Sequence, residues 1–172
     1  MAGILRCSGN WNVNAIISVL IVAPGDLCDL IYEQLRASVK ERGYRITIHK
    51  SESIDDILHF KPNLQVDFVV FAFNGRIAHQ IHEVERNIGL LDEFFIISGR
   101  VCLVNCIGGS NGTDLNCHAA QKVREKYCVR LFSADVHKKE GLESIGSRVL
   151  CLAEALMGVH SGIVDLNVLT SL

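Results

Sequence analysis

The loop directly after the first predicted strand is the place where an α/β protein with a phosphate-binding motif would carry it. A P-loop at such a position reads GxxxxGK[ST]; its glycine N–H groups and lysine hold the phosphates, and its hydroxyl binds Mg²⁺. Residues 23–28 instead read Ala-Pro-Gly-Asp-Leu-Cys, with one glycine, no lysine and no hydroxyl. Asp26 and Asp29 would repel a triphosphate, and the GxGxxG pattern of dinucleotide-binding proteins is missing from the same loop. The loop therefore predicts no phosphate-dependent nucleotide binding.

Two motifs after later strands match parts of the guanine-binding motifs of GTPases. Asn105 stands where NKxD would begin, without its lysine and aspartate, and residues 133–135 follow the predicted fifth strand as Ser-Ala-Asp, an SAK turn without its lysine. Asn74 takes the place of a metal-binding aspartate after the third strand, and Asp67 stands at that strand's amino end. Two interpretations stay open: ancestry from a GTPase, or the ordinary preference of Asn and Ser for turns.

The cysteines and histidines form no catalytic or metal-binding pattern. Cys106 is a candidate nucleophile, but nothing near it in the sequence would activate its thiol, and the GxSxG elbow is absent. A zinc site would need paired short spacings, which are missing from the set Cys102, Cys106, Cys117 and His118. No candidate general base stands beside a nucleophile or acid in a catalytic pattern; the candidates are His79, His82, His118, His137 and His160. We expect no catalytic residue, no metal and no cofactor.

The hydrophobic pattern alternates between strand and helix along the whole chain. Continuous β-branched runs predict strands buried on both faces, whereas apolar residues three or four apart predict helices. The predicted strands are 16–22, 44–50 (a half-exposed edge), 66–73, 101–106 and 129–132; the predicted helices are 27–39, 77–91, 115–127 and 142–156. Asp26 is the expected N-cap of the first helix, Gly158 ends the last, and 51–65 is a polar connection. This order predicts a three-layer α/β fold, with a mostly parallel five-stranded sheet covered by helices on both faces.

Length and composition bound the class of protein. The 172 residues are 49% hydrophobic and carry a net charge of −2, which fits one folded domain over 1–172 without a basic face for nucleic acid. The longest apolar run, 15–23, is far shorter than the roughly 20 residues of a membrane span. Seven cysteines without a CxxC pair are typical of free intracellular thiols. We expect no membrane segment and no signal peptide.

Several segments, in order, resemble the centromere protein M family. They are residues 14–22 (NAIISVLIV), residues 66–74 (VDFVVFAFN), Asp92 with Phe94 and Phe95, residues 99–103 (GRVCL) and residues 162–169 (GIVDLNVL). The resemblance implies a small-GTPase-like (Ras-like) fold that has lost its nucleotide-binding motifs. About fifteen residues separate Lys50 from Val66, where a switching GTPase would need many more.

The resemblance also implies a function. Such a pseudo-GTPase would be a non-catalytic scaffold subunit of the inner kinetochore, located at the centromere in the nucleus. It would join centromere proteins I, H and K in kinetochore assembly and chromosome segregation in mitosis. The chain alone would be a monomer, and no direct nucleic-acid contact is expected.

Two apolar stretches are the predicted partner contacts. Phe94-Phe95-Ile96-Ile97 lies in a predicted helix-to-strand connection, and the tail 158–172 carries leucines and isoleucine every third residue. We expect Phe94 and Phe95 to fold back onto the domain. The predicted partner-binding residues are Ile96, Ile163, Leu166 and Leu169, because exposed apolar clusters mark interaction sites. The helical-repeat subunit, centromere protein I, is the partner that the resemblance implies for them.

Two other functions stay open at this point. A flavodoxin-like or GTPase-like sheet could still bind a nucleotide or flavin, although the loop after the first strand lacks a phosphate-binding motif. A cysteine-dependent hydrolase built around Cys106 is the second alternative. Residues 108–112, Gly-Gly-Ser-Asn-Gly, would form a loop near that cysteine, either as an anion site or as a solvated turn.

Overall fold

The architecture was obtained from a computed structural model, which describes residues 4–5, 16–40, 42, 44–107, 115–136 and 138–159. Within these residues the chain forms five strands and six helices. In chain order they are β1 (Ile17–Val22), α1 (Gly25–Val39), β2 (Ile46–Ser51), α2 (Ile54–Phe60), β3 (Phe68–Phe73), α3 (Ala78–Ile88), α4 (Glu93–Ile97), β4 (Val101–Ile107), α5 (Leu115–Tyr127), β5 (Arg130–Asp135) and α6 (Lys139–Met157). No helix among the described residues is long and apolar enough to cross a membrane.

The strands form one parallel sheet in the order β2-β1-β3-β4-β5. This is a doubly wound order, in which the chain first adds a strand on one side of β1 and then builds outward on the other. The predicted three-layer α/β fold is therefore confirmed, and β2 is an edge strand as expected. The predicted fully buried strand at 129–132 is wrong: β5 is the other edge strand, and among its residues Ala134 alone is fully buried.

Both faces of the sheet carry a hydrophobic core. Side chains alternate along β1, so that Val19 and Ile21 face α1 and α6, whereas Leu20 and Val22 face α2, α3 and α5. All six residues of β3 are buried for the same reason. A strand that contributes to two cores has no polar face, which explains the continuous apolar runs in the sequence.

Asp67 fixes the pairing of β1 with β3 at the amino end of the sheet. Its backbone N–H donates to the Ser18 carbonyl oxygen (2.8 Å), and the Ser18 N–H donates to the Asp67 carboxylate (2.8 Å). The carboxylate is 4% exposed and stands at the amino end, as the sequence indicates. It is therefore a structural residue, on the edge of the sheet opposite to that where ligands bind in α/β proteins.

Three local features differ from the sequence-based expectation. The N-cap of α1 is Pro24 rather than Asp26, because the helix already begins at Gly25 and Asp26 falls in its first turn. The polar connection 51–65 contains α2, whose N-cap Ser53 accepts a hydrogen bond from the Asp56 N–H (3.1 Å). The connection before β4 likewise contains α4. Short helices were missed because seven and five residues give too little periodicity to recognise.

Helix α6 packs closely against α1 through Gly146. A Cβ built on this glycine would lie 2.5 Å from the Gln34 carbonyl oxygen and 2.7 Å from the Ser38 hydroxyl. Side-chain carbons do not approach backbone atoms so closely, so the helix spacing depends on the missing side chain. The core residues Ile145 and Val149 are fully buried on either side of Gly146.

The far end of α6 is held to the amino edge of the sheet by a buried carboxylate. Glu154, 4% exposed, accepts a hydrogen bond from the Tyr44 hydroxyl, and its Oε1 lies 3.2 Å from Nε of Arg42. Arg42 and Tyr44 immediately precede β2, so Glu154 ties the last turns of α6 to the start of an edge strand. Gly158, with φ 64°, then ends the helix as predicted.

Gly146→Ala should destabilise the fold by about 1–3 kcal/mol, because the added methyl forces α1 and α6 apart. Each kcal/mol lowers the melting temperature of a domain of this size by about 2–4 °C. Gly89→Ala is the matched control: its φ is −64°, it is exposed, and its Cβ would meet only the preceding helical carbonyls, at 3.3 Å or more. Equal thermal shifts for the two variants would contradict the packing argument.

Tyr44→Phe should cost about 1 kcal/mol at pH 8, because Glu154 loses a donor. Burial, then the hydrogen bond and charge of Glu154, raises the pKa of the Tyr44 phenol above its ordinary value. A raised folded-state pKa gives stability that is complete below about pH 10, where the unfolded phenol titrates, and lost at higher pH. Urea unfolding at pH 8 and pH 11 should therefore show a smaller cost of the variant at pH 11. Tyr32→Phe is the control; a cost independent of pH would refute the argument.

Candidate functional site

The carboxyl ends of β1 and β3 enclose a cleft at the point where the strand order reverses. In doubly wound proteins this switch point is where ligands bind. The cleft has a volume of about 170 Å³ and is lined by the strand ends, the start of α3 and side chains from two acidic residues: Val22, Ala23, Pro24, Glu52, Phe71, Ala72, Phe73, His79, Gln80, Glu83, Val84 and Asn87. Ligand pockets usually measure about 300–1,000 Å³. The part of the cleft that the described residues line is therefore smaller than a usual ligand pocket.

A carboxylate stands where a phosphate would bind. Helix N-termini attract anions, and at the N-terminus of α1 a Cβ built on Gly25 would lie 3.1 Å from Oε1 of Glu52. Asp26 adds a second negative charge in the first turn of the helix. Lys50, on β2, is ion-paired with Asp29 (2.6 Å) and lies 4.7 Å from the ring centroid of Tyr32. The charges at this helix end therefore disfavour a phosphate, as residues 23–28 predict.

The two partial guanine-binding motifs are part of the sheet. Asn105 is fully buried in β4, and its Oδ1 accepts a hydrogen bond from the Gly75 N–H (2.9 Å). A Cβ on Gly75 would lie 2.5 Å from the same oxygen, so the amide fills the space beside that glycine. Ser133 pairs with Asn105 inside β5. The prediction that residues 133–135 form a turn after the strand is wrong, because β5 extends to Asp135.

Asn74 caps the turn after β3. Its Oδ1 accepts from the Arg76 N–H (3.0 Å), and its own N–H donates to Oε1 of Gln80 (2.7 Å). These hydrogen bonds hold the turn that leads into α3. The amide therefore has a structural role at the position where a GTPase would carry its metal-binding aspartate.

The candidate nucleophile has an inert environment. Cys106 is 1% exposed, and burial raises the pKa of its thiol to about 12. Burial also raises the pKa of the fully buried Cys102 thiol. Both cysteines are therefore protonated at neutral pH, and a thiolate at Cys106 is strongly disfavoured.

The histidines and metal candidates stay apart. His79 borders the cleft, and His82 and His118 are exposed on helix surfaces. His137, His160 and the loop 108–112 lie outside the described residues. Within the residues that the structure describes, no three His, Cys, Asp or Glu side chains lie close enough to hold a metal ion.

An apolar surface lies at the opposite, amino-terminal edge of the sheet, on α4. Asp92 caps this helix by accepting a hydrogen bond from the Phe94 N–H (2.9 Å). Successive helical residues point about 100° apart, so Phe95 turns fully into the core while Phe94 (43% exposed) and Ile97 (73% exposed) turn outward. Ile96 is half-buried against the core. The prediction that Phe94 folds back is thus wrong for a large part of its ring, and Ile97 is more exposed than Ile96.

Two further contacts shape this surface. The guanidinium of the buried Arg100 lies 5.2 Å from the centroid of the Phe94 ring, which holds the ring in place. Leu5 forms a parallel bridge with Leu91 just before α4, and in this register the neighbouring Ile4, 57% exposed, lies level with Leu90. We call Phe94, Ile97 and the half-buried Ile96 the α4 surface.

Sequence reasoning found the apolar run but not its outward residue. The signal that would have identified Ile97 is the pair Asp92 and Gly99, an N-cap and a glycine at φ 68° that together define a single short helix. The other predicted contacts, Ile163, Leu166 and Leu169, lie outside the described residues.

Fold and site together define a doubly wound α/β protein whose ligand edge is occupied by its own side chains and whose opposite edge is apolar. The sequence model "Centromere protein M (CENP-M)" matches residues 26–172, and the chain therefore belongs to the centromere protein M family. It is accordingly a protein of the centromere and kinetochore, in the nucleus. No curated protein matches the chain significantly.

Two solved structures are similar to this chain at low identity. One is the constitutive lysine decarboxylase of E. coli, with 14% identity, a TM-score of 0.45, and coverage of 83% of this chain and 18% of that one. The other is a hypothetical protein from Thermus thermophilus, with 15% identity, a TM-score of 0.45, and coverage of 83% of this chain and 35% of that one. The chain thus spans about a fifth and a third of their lengths.

GTP or ATP with Mg²⁺ should leave the melting temperature of the protein unchanged. A ligand at 100 times its Kd stabilises a fold by about 2.7 kcal/mol, which is several degrees for a domain of this size. Differential scanning fluorimetry at millimolar nucleotide therefore detects binding if it occurs. A nucleotide-binding GTPase in the same buffer serves as the positive control, and a magnesium-dependent rise for this chain would contradict the charge argument.

Proposed function

We propose that the chain is a non-catalytic structural subunit of the inner kinetochore, a pseudo-GTPase scaffold that binds centromere proteins I, H and K. The single observation that carries this proposal is the reversed character of the two sheet edges. The cleft at the carboxyl edge is small and has acidic side chains in its lining. The amino edge presents the α4 surface. Family membership supports the kinetochore setting.

The carboxyl edge gives little support for an enzyme. Catalysis needs a group that can donate, accept or attack beside a substrate-sized space. Here Cys106 is buried with a raised thiol pKa, and the cleft measures about 170 Å³. The side-chain oxygens of the nearby Asn74 and Asn105 accept backbone hydrogen bonds. These contacts support a framework role for that edge.

The amino edge supports protein binding. Exposed apolar clusters mark interaction sites, and α4 exposes two large apolar side chains on one short helix, Phe94 (43%) and Ile97 (73%). Phe94 is held by Arg100 and the backbone of α4 is capped, so little side-chain and backbone freedom is lost on binding. A pre-ordered apolar surface of this kind fits a helical-repeat partner, since such proteins offer extended concave faces.

We assign the direct contact to centromere protein I, with centromere proteins H and K in the same assembly. The contact residues are Phe94 and Ile97 in addition to the predicted Ile96, together with Ile163, Leu166 and Leu169 of the tail. Ile96 belongs to the rim of the surface, because part of its side chain is packed against the core.

Ile97→Glu should weaken binding to centromere protein I by at least about thirtyfold, the usual effect of removing a central anchor worth about 2 kcal/mol. Because Ile97 is 73% exposed, the variant should stay folded with the wild-type melting temperature. Leu166→Glu should weaken the complex similarly. Binding is measured by calorimetry and by co-elution in size-exclusion chromatography.

Phe60→Glu is the matched control, since Phe60 is 75% exposed at the end of α2 and is not part of the α4 surface. It should bind like the wild type. If Ile97→Glu also binds like the wild type, the partner uses another surface; if both variants lose binding equally, the effect is one of added charge rather than of site.

A further inference from the structure

We propose that the outer side of the edge strand β2 is a docking site for an extended, acidic segment of a partner protein, which adds to the five-stranded sheet as a further strand. The site is separate from the α4 surface, and the inference goes beyond the proposed function. It is carried by the outward backbone groups of β2, by the regular geometry of this strand and by the charges beside it.

The backbone of β2 offers a row of hydrogen-bonding groups. The Ile17 N–H donates to the Arg45 carbonyl oxygen (3.1 Å), and the parallel register with β1 continues unbroken to the end of the strand. In a parallel pair, every second residue of a strand bonds to a given neighbour. The alternate residues of β2 therefore direct their N–H and C=O groups away from β1, and no strand among the described residues pairs with them. These outward residues are Ile46, Ile48 and Lys50.

The described residues do not shield this edge. Edge strands are commonly protected by proline, by bulges or by lysines that project along the edge. The strand reads Ile-Thr-Ile-His-Lys-Ser and pairs with β1 without a bulge. Its lysine, Lys50, is drawn towards α1, where its Nζ lies 2.6 Å from Asp29 and 4.7 Å from the centroid of the Tyr32 ring. An added strand therefore meets neither a proline nor an unpaired lysine along β2.

The face of the sheet that α1 covers is apolar beside this edge. Ile46 and Ile48 are half-buried there and pack against the same core as Tyr32. Neighbouring strands place their side chains alternately on the two faces of a sheet, so the exposed parts of these isoleucines would contact every second side chain of an added strand. The docking segment should therefore carry apolar residues at every second position.

The opposite face is basic beside this edge. Arg45 and His49 alternate onto it, and burial and then the charge of Lys61 lower the pKa of His49, which places Lys61 near the same face. Arg45 and Lys61 are exposed, and neither forms an ion pair within the described residues. Asp55 and Asp56 stand at the start of α2, after the carboxyl end of β2. Acidic residues at the intervening positions of the docking segment would complement these cations.

The test uses the full-length protein and a displayed library of random decapeptides. Panning should enrich sequences that alternate apolar residues with Asp or Glu, and a synthetic peptide of the enriched sequence is the probe in the later measurements. On binding, hydrogen exchange by NMR should slow about tenfold or more at the outward amides of Ile46, Ile48 and Lys50. The amides of Thr47 and His49, which already bond to β1, should change less. Enrichment of sequences without this alternation, or protection confined to other segments, would overturn the proposal.

Two sets of variants separate strand addition from attraction by charge. Ile48→Pro removes one outward donor, which an edge strand tolerates where its N–H faces solvent, and should weaken probe binding about tenfold through the lost hydrogen bond. Arg45→Glu combined with Lys61→Glu should also weaken it about tenfold, and this protein should keep the wild-type melting temperature because both positions are exposed. Lys122→Glu combined with Lys139→Glu is the matched control, with the same charge change at exposed positions of α5 and α6. Equal losses for the two charge-reversed proteins, or no loss for the first, would overturn the proposal.

Two other occupants of this edge are outcomes of the same measurements. If the outward amides of β2 become protected in the free protein as its concentration rises, the edge pairs with a second copy of the chain. If single-stranded DNA displaces the probe and protects the same amides, the edge recognises a nucleic acid. Either result would overturn the assignment to an acidic protein segment.

Discussion

The structure depends on the burial of three central strands on both faces. A parallel sheet covered by helices on each side leaves no open face for a ligand or a partner. Val19 and Ile21 belong to one core while Leu20 and Val22 belong to the other, so these four residues of β1 are all used for packing. The central strands can therefore be reached only at the two edges where they begin and end.

The two edges differ in the chemistry of the side chains that they present. At the carboxyl edge, Glu52 lies by the start of α1, and Asn105 fills the space beside Gly75. Groups that would contact a nucleotide in a related architecture here contact the protein itself. At the amino edge, which is normally structural, α4 exposes Phe94 and Ile97. The side chains at the two ends of the strands thus differ from those of a ligand-binding α/β protein, and this difference is the basis of the proposed scaffold role.

Sequence reasoning recovered the elements whose burial is dictated by periodicity. Strands β1, β3 and β4 and the long helices follow from continuous or helically spaced apolar residues, and Gly158 marks the end of α6 correctly. The features that sequence reasoning missed depend on tertiary structure or on elements too short to show a period. The edge position of β5 depends on strand order, which no local pattern encodes. Helices α2 and α4 are too short for periodicity, and their caps, Ser53 and Asp92, are the local signals that define them.

The candidate site was predictable in one respect and not in another. The absence of a phosphate-binding motif is a property of residues 23–28 themselves, so it could be predicted directly from the sequence. That Glu52 approaches the same helix end depends on the pairing of β1 with β2, which brings distant residues together. Likewise, the choice between Ile96 and Ile97 as the outward residue requires the phase of α4, which Asp92 sets.

The reciprocal hydrogen bonds between Ser18 and Asp67 have a consequence for how the chain folds. They join residues 49 apart in the sequence, and the whole of α1, β2 and α2 lies within the loop that they close. Closing so long a loop carries an entropic cost before any contact rewards it, and parallel pairings of this kind fold slowly. Forming the central β1–β3 pair therefore carries a larger loop-closure cost than forming a local contact such as a helical turn.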